Sequence, residues 1–255
     1  MRVLIANDDG IFSTGIAKLT EALGTIEETE IYVCAPRTQQ SGKSHSISMS
    51  KPMEVTELAF SNAKLALSVN GTPADCVMLG LRYLQAKGID IDMVFSGINE
   101  GSNLGTDTIY SGTVGAAMEG ALCGKPSVAV SVETHSPTHF EAAQELAVQA
   151  YYRVKEMMDP MTVININTPD IPKEEIKGVK VTRVGRREYD AWFDSELSGG
   201  VRRYRYGGDP VVYKSKNTDI DVIAVQEGYA SVTPLMFDLT AHDKLEEIRR
   251  WKLDV

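Results

Sequence analysis

Short apolar runs rich in β-branched residues alternate with helix-period segments through the first two-thirds of this 255-residue chain, and that alternation admits few folds. Val3-Leu4-Ile5-Ala6 reads as a buried strand. Residues 14–24 then carry Ile16, Leu19 and Leu23 at helical spacing. A second buried strand over 30–35 is closed by Pro36. Strand-like pieces over 53–58 and 64–69 precede a helix over 72–85 that opens on Thr72-Pro73. Strands over 92–96, 127–132 and 162–166 are separated by a small-residue helix over 112–123 and a long helix over 138–158. Strand and helix in strict turn imply a parallel sheet covered by helices on both faces. From about Ile171 the pattern changes. Residues 179–184 and 201–213 alternate like antiparallel strands, with Gly199-Gly200 and Gly207-Gly208 as turn signals, and residues 241–252 read as an amphipathic helix.

In such a sheet, ligands bind at the carboxyl ends of the strands. The first strand empties there into Asn7-Asp8-Asp9-Gly10. Adjacent carboxylates repel unless a cation neutralises them, so this turn points to a divalent metal, the other reading being a helix cap. A polar loop, residues 37–46, follows the second strand and offers hydroxyls and amides but no acid. The third loop, residues 97–107, has glycines at 97, 101 and 105 with Asn99 and Asn103 between them, which lets the backbone turn tightly and approach a ligand. It runs into Tyr110-Ser111-Gly112-Thr113 at a helix start, where free amides and the helix dipole make an anion site, or where Ser111 simply caps the helix. A carboxylate pair, neutral oxygens and an anion cradle together suit metal-assisted phosphoester hydrolysis.

Rival chemistries lack their signatures. No G-x-G-x-x-G follows the first strand, no glycine precedes Gly42-Lys43-Ser44 at P-loop spacing, and no G-x-S-x-G elbow is present. The net charge of -9 argues against a polyanion-binding surface, so no nucleic-acid polymer is expected as a partner. The basic clusters Arg186-Arg187 and Arg202-Arg203-Tyr204-Arg205 are expected to be solvated hairpin charges. Cys34, Cys76 and Cys123 lie in apolar segments and are expected to be buried free thiols in a reducing compartment. With no apolar run long enough to span a bilayer and a strand at the very N-terminus, the chain is expected to be cytoplasmic, without a membrane partner.

Five ordered motifs carry a resemblance: N-D-D-G at 7–10, A-P-x-x-x-x-S-G at 35–42, N-G-T-P-A-D at 70–75, S-G-I-N-x-G-x-N-x-G at 96–105 and Y-S-G-T-V-x-A-A-x-E-G at 110–120. A distal block, T-D-x-x-A-V-x-x-G-Y-x-S-V-T-P-L, aligns loosely with residues 218–235. Together they resemble the SurE family of stationary-phase survival proteins, 5′/3′-nucleotidases and acid phosphatases. The resemblance implies a Rossmann-like three-layer α/β/α fold with a mostly parallel central sheet and a C-terminal antiparallel β-hairpin arm. The chain would be a single SurE-like domain with its core at about 1–170 and 229–240. Residues of about 171–228 and the tail 241–255 would build a homodimer or homotetramer. Also implied is one magnesium or manganese ion per subunit, coordinated by Asp8, Asp9, Ser41 and Asn99. Ser111, Gly112 and Thr113, with Asn99, would hold the phosphate; Asn7 and Asn103 would orient the shell, and Asp107 would either join it or brace the loop, bracing being favoured. Asp8, Asp9 and Asn99 would thereby be catalytic, with a metal-activated water attacking nucleoside 5′-monophosphates and 3′-monophosphates. A polyphosphate-hydrolysing phosphatase and a non-catalytic nucleotide-binding assembly protein are the alternatives. His45 is a candidate donor of the leaving-group proton.

Overall fold

A computed structural model of the chain describes residues 1–154, 156, 161–213 and 215–253. Six parallel strands form the centre of the sheet: β1 (Arg2–Ala6), β2 (Glu30–Pro36), β4 (Leu65–Val69), β5 (Met93–Glu100), β6 (Ser127–Val132) and β7 (Thr162–Thr168). β3 (Val55–Leu58) adds an antiparallel edge beside β4. At the other edge β11 (Ala230–Met236) runs antiparallel to β7, and β8 (Val179–Val181) runs parallel to β11. Among the described residues the order is β3-β4-β2-β1-β5-β6-β7-β11-β8. β9 (Tyr189–Ser198) and β10 (Val201–Pro210) form a separate antiparallel hairpin.

Side chains alternate across each strand, so successive residues of β1 feed two cores. Val3 and Ile5 pack toward α1 (Thr14–Gly24) and α4 (Glu141–Val154), meeting Ile16, Leu19, Ala143 and Tyr151. Leu4 and Ala6 face α2 (Pro73–Ala86) and α3 (Gly112–Leu122), meeting Val77, Leu81 and Ala116. Each fully buried Leu, Ile or Phe contributes about 1.5–3 kcal/mol. α2 starts cleanly because the Thr72 hydroxyl accepts from the Asp75 amide while the Asp75 carboxylate accepts from the Thr72 amide, with Pro73 at the first helical position. α1 approaches β5 so closely that a Cβ on Gly15 would lie 1.8 Å from the Ile98 carbonyl oxygen. Among the described residues no helix is long and apolar enough to cross a membrane.

Several expectations need correction. β5 does not stop at Ser96 but runs to Glu100, pairing again with β6 after an irregularity between Ser96 and Asn99, so the first part of the glycine-rich loop is strand. Gly97 permits this with φ of +130° and a backbone so close to β6 that a Cβ would lie 2.2 Å from the Val130 carbonyl oxygen. Residues 179–184 yield β8, a parallel strand of the main sheet paired in register with Ala230–Val232 of β11, and the Thr182 hydroxyl just beyond it meets those of Ser231 and Thr233. Gly199-Gly200 is the hairpin turn, whereas Gly207-Gly208 lies inside β10, where Gly207 makes room for the Trp192 ring. Cys34 and Cys76 are buried thiols, but Cys123 is exposed where α3 ends. The expected end of α4 at 158 lies outside the described residues. The remaining helices are short: α5 (Asp221–Gln226) precedes β11, and the tail turns helical through a 3-10 turn at His242–Lys244 and α6 (Leu245–Arg249).

Candidate active site

The chain leaves β1 through α1 toward β2 on one side and returns through α2 to β5 on the other, so β1 and β5 flank the point where the sheet's winding reverses. Loops diverge there and leave a crevice. Asp8 lies in it at 5% exposure. Its Oδ1 accepts from the Thr113 hydroxyl at the start of α3, and its carbonyl accepts from the Gln40 amide at 2.7 Å. Asp9 accepts from the Glu100 amide at 3.0 Å through Oδ2 and from Gln39 at 3.5 Å through Oδ1. The three loops expected to converge therefore do so, the second and third each bonding the turn that carries the two acids.

Electrostatics mark the pair. Burial pushes the Asp8 carboxyl up to about 6, against the pull of the Thr113 hydroxyl, and the Asp9 charge adds to the rise. Burial also raises Asp9; the Glu100 amide opposes it and the Glu100 charge reinforces it. Among the described residues no three His, Cys, Asp or Glu side chains converge into a metal-ligand cluster. A cation here would thus rest on two carboxylates and neutral oxygens. The residues fit one: both acids resist ionisation without a counter-charge, and the buried Oδ1 of Asn7 has no hydrogen-bond partner among the described residues. Asn7 spends its amide on the Gly10 carbonyl and the Ser13 hydroxyl, both at 2.9 Å, closing the turn that presents the acids.

Asn99 sits beside Glu100 and donates its amide to the Gly101 carbonyl at 2.6 Å, and among the described residues no hydrogen bond occupies its Oδ1. Ser41 follows Gln40 and is exposed; among the described residues no hydrogen bond joins its hydroxyl to either carboxylate. Ser111 caps α3 by accepting from the Val114 amide at 3.0 Å, so its own hydroxyl proton remains free to donate. The amides of Gly112 and Thr113 have no partner within the helix. Gly112 abuts the acid pair: a Cβ there would fall 2.8 Å from the Asp8 Cβ and 2.9 Å from its Oδ2. His45, by contrast, bonds Glu119 at 2.8 Å, two turns down α3 from the cradle.

The family model for Survival protein SurE matches residues 3–191. The chain belongs to the SurE family. It is 40% identical over 252 residues to the 5′-nucleotidase SurE of Syntrophomonas wolfei subsp. wolfei, covering 98% of this chain and 94% of that one. Against the 5′-nucleotidase SurE of Heliobacterium modesticaldum it is 41% identical over 253 residues, covering 98% and 92%. The crystal structure of the SurE protein from Aquifex aeolicus superposes with a TM-score of 0.83 at 36% identity, covering 99% of this chain and all of that one. The SurE fold, mostly parallel with an antiparallel hairpin after it, is therefore this chain's fold.

Besides Asn103 and Asp107, which were expected near the site, the loop over 99–107 is shaped by residues that the sequence did not single out: Ser131, Asn165, Asn167 and Asp221. Asn103 is buried and clamped by Ser131, Asn165 and Asn167. Its backbone amide donates to the Asn167 Oδ1, its side-chain amide donates to the Ser131 hydroxyl, and its carbonyl accepts from both other asparagines. Two asparagines two apart in a buried strand were the available signal. Asp221 accepts from the amides of Gly105, Gly185 and Val222, each at 2.8 Å. Counted back from Ala224-Val225, the distal motif puts its acid on Asp221 rather than Asp219. Asp107 is committed to Tyr189 and Arg187, which braces the loop. Arg187, expected to be a solvated hairpin charge, is 12% exposed.

Proposed function

We propose that this chain is a metal-dependent phosphomonoesterase that releases phosphate from nucleoside 5′-monophosphates, and from 3′-monophosphates at the same site. The observation that carries the reading is the position of Gly112 and Thr113. The start of α3, where amides and the helix dipole favour an anion, lies against Asp8, whose buried carboxylate favours a cation. The relatives' printed activity, 5′-nucleotidase, matches that arrangement. Asp8, Asp9, Asn99 and Ser41 would hold one magnesium or manganese ion, an all-oxygen set suited to hard cations. When bound, the ion polarises a phosphoryl oxygen and makes water a better nucleophile at neutral pH. Thr113 fixes the rotamer of Asp8, and the Glu100 amide fixes Asp9. The Ser111 hydroxyl and the Gly112 and Thr113 amides hold the phosphate and favour the added charge of the transition state, aided by the α3 dipole. Asn7 and Asn103 keep the turn and loop in place.

The hairpin exposes Trp192, Phe193, Leu197, Tyr204 and Tyr206, which supports self-association of the arm, with the tail 241–255, into a homodimer or homotetramer. Two buried free thiols, Cys34 and Cys76, suit a reducing cytoplasm. The decisive experiment measures phosphate released from a panel of nucleoside 5′- and 3′-monophosphates and short polyphosphate, with manganese or magnesium and with a chelator. Metal-dependent release from nucleotides is expected. Release from none of them with either metal would overturn the assignment.

A further inference from the structure

In the segment between the sheet and the hairpin, Arg187 and Tyr189 grip the 99–107 loop at several points. The Arg187 amide donates to the Thr106 hydroxyl at 3.3 Å, and that hydroxyl donates to the Arg187 carbonyl at 3.0 Å. Its guanidinium reaches both arms of the loop. Nη1 donates to the Ser102 hydroxyl at 2.7 Å, and Nε lies 3.4 Å from Asp107 Oδ2. Ser102 adjoins Gly101, whose carbonyl fixes the Asn99 side chain. Asp107 offers its carbonyl to the Tyr110 and Ser111 amides at 2.9 and 3.1 Å, so its placement sets the start of α3. Arg187 therefore stands between the metal-facing end of the loop and the anion cradle. It is surrounded by acids rather than open to substrate. Asp107 is one, and Glu133, whose carboxyl burial raises while the Arg187 charge lowers it, is another.

We propose that Arg187 is a positioning residue of the reaction: by joining Ser102 to Asp107 it sets the separation between Asn99 and the Ser111–Thr113 cradle. This rests on the phosphatase reading given above. A guanidinium suits the task because its planar fork offers donors in two fixed directions, which an ammonium does not. Displacements of about 1 Å between reacting groups cost about a hundredfold in rate. The test uses the full-length protein with Arg187→Met, Arg187→Lys and Arg187→Ala, assayed with a nucleoside 5′-monophosphate and manganese. Loss of positioning is expected to lower kcat in Arg187→Met by between about tenfold and a hundredfold. The inhibition constant of inorganic phosphate should rise with it. The half-saturating manganese concentration should rise by a smaller factor than kcat falls, because Asp8 and Asp9 are held by Thr113 and Glu100 rather than by Arg187, and only Asn99 among the proposed metal-holding residues lies on the loop that Arg187 braces. Added guanidinium ion should restore part of kcat in Arg187→Ala, a response that a merely stabilising residue would not give. Arg187→Lys keeps the charge and the fold but not the fork, so it should remain impaired; it carries the test if the neutral variants do not fold. Wild-type kcat in Arg187→Lys and in a folded neutral variant would overturn the positioning role alone. A wild-type protein that releases no phosphate would overturn the phosphatase reading and this role with it.

Discussion

Replacing Asp8 by asparagine should make the metal-free protein more stable while removing its response to metal. Asp8 is 5% exposed and its carboxyl is raised from the ordinary 3.8 to about 6. A raised carboxyl binds its proton more tightly in the native state than in the unfolded one. Between those two values the native state holds more protons, so stability falls as pH rises, and the loss is complete above about 6. A rise of about two units corresponds to about 3 kcal/mol at neutral pH. The carboxamide introduced by Asp8→Asn would carry no charge to desolvate, and its carbonyl can still accept from the Thr113 hydroxyl. Scanning calorimetry in chelator at pH 7.5 should therefore show a melting point about 5–10 °C higher for the variant. The gap should shrink to about half in free energy at pH 5, where Asp8 is largely protonated. Manganese should raise the wild-type melting point and leave the variant's nearly unchanged, because binding stabilises only the state that binds. A variant no more stable than wild type in chelator at pH 7.5, or a gap that does not narrow on acidification, would refute the claim that Asp8 is an uncompensated buried charge.

Asp9→Asn should likewise abolish manganese-dependent phosphate release at an unchanged circular dichroism spectrum; near-normal turnover would exclude it from the metal site. Gly112→Ala places a Cβ 2.8 Å from that of Asp8, so phosphate release should drop by at least tenfold, about 1.4 kcal/mol of barrier, in a protein that still melts cooperatively. Gly15→Ala meets backbone, 1.8 Å from the Ile98 oxygen, and should cost about 3 kcal/mol or more in urea titration. Asp221→Ala strands three backbone amides at about 1–3 kcal/mol each, so urea denaturation should show a loss of at least about 3 kcal/mol and a loosened 99–107 loop in hydrogen exchange.

The fold was legible wherever one residue type repeated at one period. β1, β2, β6 and α1 are apolar runs or stripes whose burial follows from composition alone. β5 was cut short because Gly97 and Asn99 look like loop residues. What keeps that segment extended is pairing with β6, a contact distant in sequence that local propensity does not report. The parallel placement of β8 was hidden for the same reason. Its three residues alternate like any exposed strand, and its direction is set by a parallel backbone ladder with β11 about 50 residues later.

Legibility of the site divides by charge. Asp8 and Asp9 stood out because two adjacent acids at a strand end are costly, and cost is visible in a sequence. Arg187 and Asp221 did not, because each looks ordinary until its partners are known: Arg187 sits in a basic pair on the way to a hairpin, and Asp221 opens a short helix as many acids do. Their work is to hold a loop whose own residues lack the apolar surface to fix themselves. The 99–107 segment has Leu104 as its one fully buried large apolar side chain after Ile98, so its order must come from hydrogen bonds. Those bonds come from β7, from the approach to the hairpin and from the start of α5, all later in the chain. The acid-bearing turn at residues 7–10 thus faces a loop that is held by residues near 165, 187 and 221. Replacing residues 186–189 by alanine in the full-length chain, which spares every proposed metal ligand, should consequently disable turnover, and a folded variant that kept full phosphate release would refute this dependence.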